Sequence, residues 1–541
     1  MPFGGGAALI SRYFVFQLVL AATLGCAIAG YAYQPVFYVA LVILVPLSLI
    51  GIGDVLQSGR ALLRNYPLIG HIRFLLEAIR PEIRQYLVED ERDPVPFSRE
   101  QRTLVYRRAK GVSDKQPFGT VRDTNAPGYG WLSHSMRAHE IADCDFRVTI
   151  GGPRCTQPYD ASIYNISGMS FGAISPNAIR ALNRGARTGG FAQNTGEGAI
   201  SKYHRRFGGD LVWQVATGYF GCRTPQGSFD AEQFEKTARM AQVKMIEVKL
   251  SQGAKPGHGG VLPRAKISPE IARARRVSRA RDCVSPPSHS AFSTPLEFVA
   301  FLNTLRELSG GKPVGFKLCV GHRYEFLAVV KAMVETGLTP DFIVIDGKEG
   351  GTGAAPLELT NHVGLPLTDG LIFVRDALTG ANLRNKIKIG VSGKLISAYD
   401  LCRAFALGAD FGLSARGFMF ALGCIQARAC HTNRCPTGVT TQDWLRGRAL
   451  VVSDKAWRVA NFHKFTMRAV GDVLGAAGLH HPSQLRPWHL HLRHQSGTVL
   501  RGEEAFPLVV AGSLLDGSAS GVLRREWDRA QASSFAPLTE Y

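Results

Sequence analysis

This chain is short of cysteine, and it has no tract that interleaves basic residues with aromatic ones. Its 541 residues include 10 Cys, too few for a disulfide scaffold. Lys and Arg outnumber Asp and Glu by 63 to 43, which gives a net charge of +20. Without interleaved aromatics this charge predicts no nucleic-acid partner, and it favours ligands that carry phosphate or carboxylate groups.

Charge is absent from one long stretch near the start of the chain. Residues 13–33 and 36–52 are two apolar runs without a charged side chain, separated by Gln34 and Pro35. Each run can cross a hydrocarbon core about 30 Å thick. We therefore predict a transmembrane helical hairpin over residues 1–56, so that a lipid bilayer is a partner. A cleaved signal peptide and a buried pair of soluble helices are the alternatives.

The placement of arginine predicts the orientation of this hairpin. Arg60, Arg64, Arg73 and Arg80 follow the second run, whereas the turn between the runs has no Lys or Arg. The positive-inside rule then places both ends in the cytoplasm. We expect an inner-membrane protein with two spanning helices, whose main body faces the cytoplasm.

Residues 72–79 have the apolar spacing of an amphipathic helix. Two interpretations are open: the helix lies along the membrane surface, or it packs against the rest of the protein. The remainder of 57–155 is mixed, with loop-like stretches, and shows no residues that indicate chemistry.

From residue 162 onward, short apolar runs alternate with helical patterns. Such an alternation is typical of a parallel sheet covered by helices, and eight units predict a closed α/β fold, the (β/α)8 or TIM barrel. A doubly wound open sheet is the alternative. The predicted helices cover 176–187, 231–242, 295–309, 324–336 and 398–407. The predicted strands cover 162–166, 190–194, 211–216, 245–250, 314–319, 342–346, 387–391 and 411–414.

Polar, glycine-containing turns follow most of these strands, at the ends where barrel enzymes carry their sites. The last turns contain Gly351, Gly353, Gly393, Lys394 and Arg416, a set that suits a phosphate group. Lys317 on the fifth strand is placed to reach a flavin ring or to form a salt bridge at the rim. No strand–GxGxxG–helix unit occurs, so a Rossmann nicotinamide domain is not indicated.

Three of the cysteines form the pattern C-x5-C-x4-C. Cys424, Cys430 and Cys435 are followed by Pro436, and three thiolates favour a three-iron cluster. Zinc with His431 as a fourth ligand and three unligated thiols are the alternatives.

These motifs together resemble the synthase domain of glutamate synthase. The resemblance covers roughly residues 160–442 and is carried by Gly-Met-Ser-Phe-Gly-Ala-Ile-Ser at 168–175, Asn-Thr-Gly-Glu-Gly at 194–198, Gln-Gly-Ala-Lys-Pro-Gly at 252–257, Gly-Gly-Thr-Gly-Ala-Ala-Pro at 350–356 and the cysteine motif. It implies a barrel that carries FMN and a [3Fe-4S] cluster. The implied reaction reduces 2-iminoglutarate, formed from 2-oxoglutarate and ammonia, to L-glutamate.

The resemblance also implies roles for individual residues. The three cysteines of the motif would be the cluster ligands. Glu197, Lys249, Gln252 and Lys255 would hold the oxoacid and support catalysis. The flavin-contacting residues would be Met169, Ser170, Gln214, Lys317, Gly351, Thr352, Gly353, Gly393, Lys394, Ala415 and Arg416.

The chain departs from the family pattern at several points. Met1-Pro2 offers no N-terminal cysteine nucleophile, so ammonia is expected to arrive free or from glutamine through a separate amidotransferase. His258 and Ser290 stand where the family has Glu and a second His, near the substrate rim. The chain therefore resembles a short, membrane-anchored form of the family.

Three functions remain open at this point. The first is synthesis of glutamate or a related amino acid with a ferredoxin-like or other electron donor. The second is an electron-transfer subunit, and the third is another FMN reaction, such as 2-hydroxy-acid oxidation with His258 or His289 as base. The predicted domains are the hairpin at 1–56, a helical and loop segment at 57–155, the barrel at 156–445 and a packing segment at 446–541.

Overall fold

The computed structural model describes residues 12–90, 92–93 and 96–538. Its contacts divide the chain into two compact units, residues 1–91 and 92–541. The predicted boundaries after residues 56, 155 and 445 stay predictions.

The first unit begins with a helical hairpin. Helix α1 (Phe14–Ala32) and helix α2 (Tyr38–Leu56) are joined by a 3-10 turn at Pro35–Phe37. Both helices are long and apolar enough to cross a membrane, and most of their side chains are exposed. Pro35 occupies the first position of the turn, where its missing N–H costs no hydrogen bond, and the two helices agree with the predicted runs.

Small residues bring the two helices of the hairpin together. The Thr23 and Ser48 hydroxyls lie 2.8 Å apart across the pair. Gly51 faces the Phe16 ring so closely that a Cβ atom there would lie 2.3 Å from it. The hairpin is followed by α3 (Ala61–Asn65), α4 (Gly70–Ile83) and a π-helix (Arg84–Val88).

The second unit contains the barrel. Eight parallel strands, β4 to β7 and β10 to β13, form a closed barrel in which β13 pairs with β4, and this confirms the predicted (β/α)8 fold. All of the predicted strands are present within a few residues. The strands of this unit are β1 (Gly130–Leu132), β2 (Arg147–Ile150), β3 (Tyr159–Ser162), β4 (Tyr164–Ile166), β5 (Gln193–Asn194), β6 (Leu211–Val215), β7 (Val243–Lys249), β8 (Val261–Leu262), β9 (Cys283–Val284), β10 (Val314–Leu318), β11 (Phe342–Asp346), β12 (Lys388–Ser392), β13 (Phe411–Ser414), β14 (Leu490–Arg493) and β15 (Val499–Arg501).

Helices separate the barrel strands, and capping residues in the sequence set where several of them start. Ser175 accepts a hydrogen bond from the Ala178 amide, and Thr294 forms a capping box with Glu297. The helices of this unit are α5 (Arg99–Lys110), α6 (Pro176–Gly189), α7 (Lys202–Arg205), α8 (Ala231–Ala238), α9 (Pro269–Arg275), α10 (Pro295–Leu308), α11 (Arg323–Thr336), α12 (Leu357–His362), α13 (Leu367–Gly380), α14 (Ala398–Ala406), α15 (Arg416–Ala421), α16 (Trp444–Arg448), α17 (Val452–Ala476), α18 (Gly502–Ala505) and α19 (Gly521–Arg529).

Segments on either side of the barrel in the chain pack around it. The β2–β3 hairpin contributes Ile150 and Ala161 to the apolar cluster at the amino ends of the strands. Helix α17 packs against α5, α6 and α14, so both flanking segments share one core with the barrel. The strand register places Lys317 of β10 beside Lys249 of β7, and Asp346 of β11 beside Ser392 of β12. Polar side chains therefore meet at the carboxyl ends of these strands.

Candidate active site

A cavity opens at the carboxyl ends of the barrel strands. Polar side chains and glycines from the turns after several strands form most of its wall. Nine of the predicted site residues line it: Gln214, Lys249, Gln252, Lys317, Gly351, Gly393, Lys394, Ala415 and Arg416.

A buried ion pair lies in the wall of the cavity. Lys317 Nζ is 3.2 Å from Asp346 Oδ1, and both side chains are less than one tenth exposed. Asp346 also accepts hydrogen bonds from the Ser392 hydroxyl and, at 2.7 Å, from the Gly253 amide. Burial lowers the pKa of Lys317, but Asp346 and Glu247 outweigh it, so the net shift is upward. Lys317 therefore stays cationic against the cavity.

A second carboxylate fixes two amide side chains in the barrel. Glu247 Oε1 accepts from Asn194 Nδ2 at 2.9 Å and from Gln214 Nε2 at 2.6 Å. Asn194 Oδ1 in turn accepts from the Gly196 amide at 2.9 Å. Because these bonds satisfy the buried groups, they set which atom of each amide faces its neighbours. Gln214 is thus held rigidly in the wall of the cavity.

The loops after β5 and β7 bring the predicted catalytic residues together. Lys249 Nζ contacts Glu197 Oε2 at 3.0 Å and donates to Gln252 Oε1 at 2.5 Å. Burial alone would raise the pKa of Glu197. The positive charges of Lys249, Arg275 and Lys255 outweigh this effect, and the pKa falls to about 2. Lys255 is 3% exposed, and burial lowers its pKa to about 8. The cluster combines a fixed carboxylate with a lysine that titrates near neutral pH.

His289 forms a hydrogen bond to the backbone of this cluster. Its Nε2 donates to the Lys249 carbonyl at 3.0 Å, so its Nδ1 accepts from the Tyr219 hydroxyl at 3.0 Å. Burial lowers the pKa of His289 to about 4, and the ring stays neutral. With both nitrogens engaged, His289 is not placed as a base.

Two further cations lie at the other end of the cavity, after β12 and β13. Within the described part of the chain neither Lys394 nor Arg416 forms an ion pair, and both lie over the Phe97 ring, at 5.7 and 4.6 Å. Burial lowers the pKa of Arg416 to about 10. A Cβ atom on Gly351 would lie 2.7 Å from Arg416 Nε, so glycine at this position lets the Arg416 side chain pack closely against the turn. Glycine backbone and unpaired cations suit an anionic group.

Phe97 is held in place by the loop that carries the cysteines. Its amide donates to Gln426 Oε1 at 3.2 Å, and its carbonyl accepts from Gln426 Nε2 at 3.1 Å. Tyr106 on α5 donates to the Cys424 carbonyl at 2.6 Å. The segment before the barrel thus connects the cysteine loop to the cationic end of the cavity.

The three cysteines of the motif share one loop and influence one another electrostatically. Burial raises the pKa of Cys424 to about 12, and Cys430 and Cys435 add to this. The Thr437 hydroxyl lies 3.5 Å from Cys435 Sγ, and the Gln426 amide donates to Cys424 Sγ at 3.5 Å. Among the residues that the structure describes, no group of three His, Cys, Asp or Glu side chains is arranged to hold a metal ion.

Some predicted residues lie outside the cavity wall. Glu197 and Lys255 do not line the cavity themselves, but their charges influence Lys249, which does. Ser170 Oγ accepts a hydrogen bond from Arg275 Nη2 at 3.3 Å. Met169 is buried in the core. Thr352 and Gly353 are exposed in the turn after β11.

Sequence reasoning missed eight residues of the wall. Asp346 ends one predicted strand and Ser392 directly follows another, and these positions were signals that could have found them. Phe97 carries no such signal, because it precedes the barrel in the chain and reaches the site only through folding. The missed residues are Phe97, Ser167, Gly168, Asp346, Gly350, Ser392, Leu413 and Ser414.

Residues 159–480 match the family described as a conserved region in glutamate synthase. The chain is 37% identical over 503 residues to the glutamate synthase large subunit-like protein YerD of Bacillus subtilis (strain 168), covering 85% of this chain and 95% of that protein. It is 34% identical over 319 residues to the archaeal-type glutamate synthase [NADPH] of Thermotoga neapolitana, covering 59% of this chain and 60% of that one. A crystal structure of mandelate oxidase has a TM-score of 0.42 and 17% identity, covering 74% of this chain and 98% of that one.

The family match extends over more than half of the chain, and it contains every barrel strand and the cysteine loop. The alignment with the Bacillus protein extends beyond it and includes nearly all of that relative. The chain belongs to the glutamate synthase family, and it is an oxidoreductase of the class that acts on CH–NH2 donors.

Proposed function

We propose that this protein reduces 2-iminoglutarate, formed from 2-oxoglutarate and ammonia, to L-glutamate. The observation that carries the proposal is a single cavity with two different cationic ends. Lys394 and Arg416 lie at one end among glycine turns, and Lys249 and Gln252 lie at the other. The first end suits the phosphate of a cofactor and the second suits the carboxylates of an oxoacid.

The cofactor proposed for the first end is FMN. Lys394 and Arg416, which have no carboxylate partner among the described residues, fit a phosphate group, and Gly351 lets the Arg416 side chain lie against the turn. Gln214 and Lys317 lie deeper in the same cavity, where the flavin ring would contact them. When bound, FMN supplies the hydride that reduces the imine carbon.

The residues of the second end have distinct roles in this proposal. Lys249 binds a carboxylate of the oxoacid and is oriented by Glu197 and Gln252, and the buried Lys255 adds positive charge beside it. A preorganised cation of this kind stabilises negative charge that develops during reaction. Pure electron transfer has no need of such a cluster, which favours an enzyme over an electron-transfer subunit. The neutral, fully hydrogen-bonded His289 argues against hydroxy-acid oxidation with His289 as the base.

Cys424, Cys430 and Cys435 are proposed to hold a [3Fe-4S] cluster. Their chemistry fits, since three soft thiol ligands lie on one loop, where the Gln426 amide donates to Cys424 Sγ and the Thr437 hydroxyl lies 3.5 Å from Cys435 Sγ. The cluster would pass single electrons from a ferredoxin-like or other donor. Cys430→Ser should remove iron and abolish turnover with a one-electron donor. Metal analysis with low-temperature EPR decides this, and zinc in place of iron contradicts it.

The hairpin is proposed to anchor the protein in the inner membrane with the barrel in the cytoplasm. Its apolar helices and the arginines that follow them support this placement. Carbonate extraction should leave the chain in the membrane pellet. Protease added to intact spheroplasts should spare the barrel, and digestion would reverse the orientation.

The experiment that tests the reaction is an anaerobic assay with purified protein, dithionite or reduced ferredoxin, 2-oxoglutarate and ammonium. Each turnover consumes two electrons and should yield one glutamate and one water. Glutamate that appears only when both ammonium and reductant are present supports the proposal. Turnover of a different 2-oxo acid with no activity on 2-oxoglutarate contradicts the substrate assigned here.

A further inference from the structure

Helix α4 carries a continuous apolar stripe that nothing covers in the described residues. Ile72, Leu75, Leu76, Ile79 and Ile83 are spaced by one, three or four residues, so at 3.6 residues per turn they share one face. Their exposed fractions run from 36% to 61%. An ordinary packing helix would bury this face against a core.

The opposite face of α4 is the one held by the protein. Phe74 lies on that face, half-buried, and the Arg60 guanidinium is 4.9 Å from its ring centre. The exposed stripe therefore points away from the segment to which the helix is attached. The π-helix continues it with exposed Tyr86, Leu87 and Val88.

The start of α4 is fixed to the end of the hairpin. Asp54, on the last turn of α2, is 5% exposed. Its carboxylate accepts from His71 Nε2 at 2.9 Å and from the Leu68 amide at 3.0 Å. Arg12, before α1, donates to Asn65 at 3.0 Å. Helix α4 thus begins near the start of α1 and the end of α2.

Basic side chains border one side of the stripe. Arg73, Arg80 and Arg84 lie next to it by helical position, and all three are exposed. Arg73 is paired with Glu77 at 3.0 Å, whereas Arg80 and Arg84 form no ion pair in the described part of the chain. Long basic side chains at such a border reach headgroups while their stems cover apolar surface.

We propose that α4 and the π-helix lie in the membrane interface, with the stripe among the acyl chains and the arginines at anionic headgroups. The proposal rests on the anchoring proposed above, because the hairpin delivers the helix to that level. Its basic border, its apolar face and its low average hydrophobicity are those of interfacial helices. The partner is an anionic lipid surface.

Site-specific photo-crosslinking tests the proposal on the full-length protein. A photoreactive residue replaces Leu76 on the stripe or, as a matched control, Ala78 on the opposite face. Both proteins are reconstituted in vesicles of phosphatidylcholine with one third phosphatidylglycerol. Position 76 should give about fivefold more lipid adduct than position 78, since only the stripe would be immersed. An adduct to protein at position 76, within the chain or to a second copy, overturns the proposal, as does equal labelling.

The role of the arginines is tested in the same vesicles. Lipid adduct from position 76 should fall about twofold in pure phosphatidylcholine, and Arg80→Gln with Arg84→Gln should remove that difference. If the protein with both arginines gives the same yield of lipid adduct with and without anionic lipid, the proposed preference for anionic headgroups is wrong. Carbonate extraction and flavin absorbance, measured on each sample, report the anchor and the cofactor separately, so failure of either is distinguishable from failure of this proposal.

Discussion

The two ends of the barrel are made by the same strands, yet they carry opposite kinds of side chain. At the carboxyl ends, Lys249, Lys317 and Arg416 surround a cavity with a mainly polar wall. At the amino ends, the space between the strands is filled mostly by apolar side chains, among them Phe342 and Phe411. The first end leaves cations available to a ligand, and the second excludes ligands by packing.

Single strands show the same division. Strand β11 runs from Phe342 to Asp346, and β13 runs from Phe411 to Ser414. Each begins in the apolar cluster and ends in the wall of the site. Because every strand of a (β/α)8 barrel points the same way, stability and chemistry are separated along its length. Substitutions at the two ends should therefore have separable effects.

The largest effect is expected where Lys394 and Arg416 are changed together to Ala. Each charge-assisted phosphate contact contributes about 1.5–3 kcal/mol, so losing both should weaken FMN binding about 10²–10⁴-fold. Flavin absorbance after gel filtration measures retention. Lys388→Ala, at the amino end of β12, is the matched control and should keep its flavin.

Full flavin occupancy in the double variant would show that Lys394 and Arg416 do not bind the phosphate of FMN. Equal loss from the Lys388→Ala variant would show that the effect comes from instability of the barrel. In that case the separation of the two ends would be wrong.

The next largest effect is a loss of stability without a loss of flavin binding, and it is expected at the amino ends of the barrel strands. Phe411 is 2% exposed and its ring lies where a Gly390 side chain would be. Phe411→Ala should reduce the free energy of unfolding by about 3–5 kcal/mol through the cavity it leaves. Chemical denaturation of the detergent-solubilised chain measures this, with exposed Leu515→Ala as control. The folded fraction should still bind FMN, and a selective loss of flavin would contradict the separation.

The barrel was predictable from sequence because apolar runs and glycine turns are local signals. Lys249, Gln252 and Lys394 could be placed at the rim for the same reason: Lys249 lies near the end of a predicted strand, and the other two follow predicted strands. Phe97 could not, since its partners Arg416 and Gln426 are more than 300 residues away in the chain. Burial of Lys255 and the pairing of Lys317 with Asp346 likewise depend on how neighbouring strands and loops meet.

A smaller effect is expected from Lys249→Met, which keeps much of the side-chain volume and removes the charge. Loss of one preorganised group that stabilises developing charge reduces turnover about 10²–10³-fold. Anaerobic glutamate formation measures this. Gln252→Glu is an informative companion, because it keeps an oxygen acceptor for Lys249. Unchanged turnover in the methionine variant would remove Lys249 from the catalytic residues.

The smallest effect is a pH dependence that comes from Lys255. Burial lowers its pKa from 10.5 to about 8, and nearby Glu197 only partly offsets this. A bound dicarboxylate favours the cationic form, so binding should weaken as the pH rises through 8. Only about one tenth of Lys255 is cationic one pH unit above its pKa, which corresponds to a roughly tenfold rise in KM for 2-oxoglutarate between pH 7 and 9.

Other groups near Lys255 do not produce this dependence. Glu197, with a pKa of about 2, and His289, with a pKa of about 4, hold one charge state throughout that range, and Lys317 has a raised pKa. Lys266 also has a pKa lowered to about 8, but it lies at the cysteine loop. Lys255→Arg separates the two lysines: a guanidinium stays charged up to pH 9, so its KM should be flat. If KM rises equally in the variant, the charge of Lys255 does not contribute to substrate binding, and the cation that does so at this end of the cavity must be Lys249.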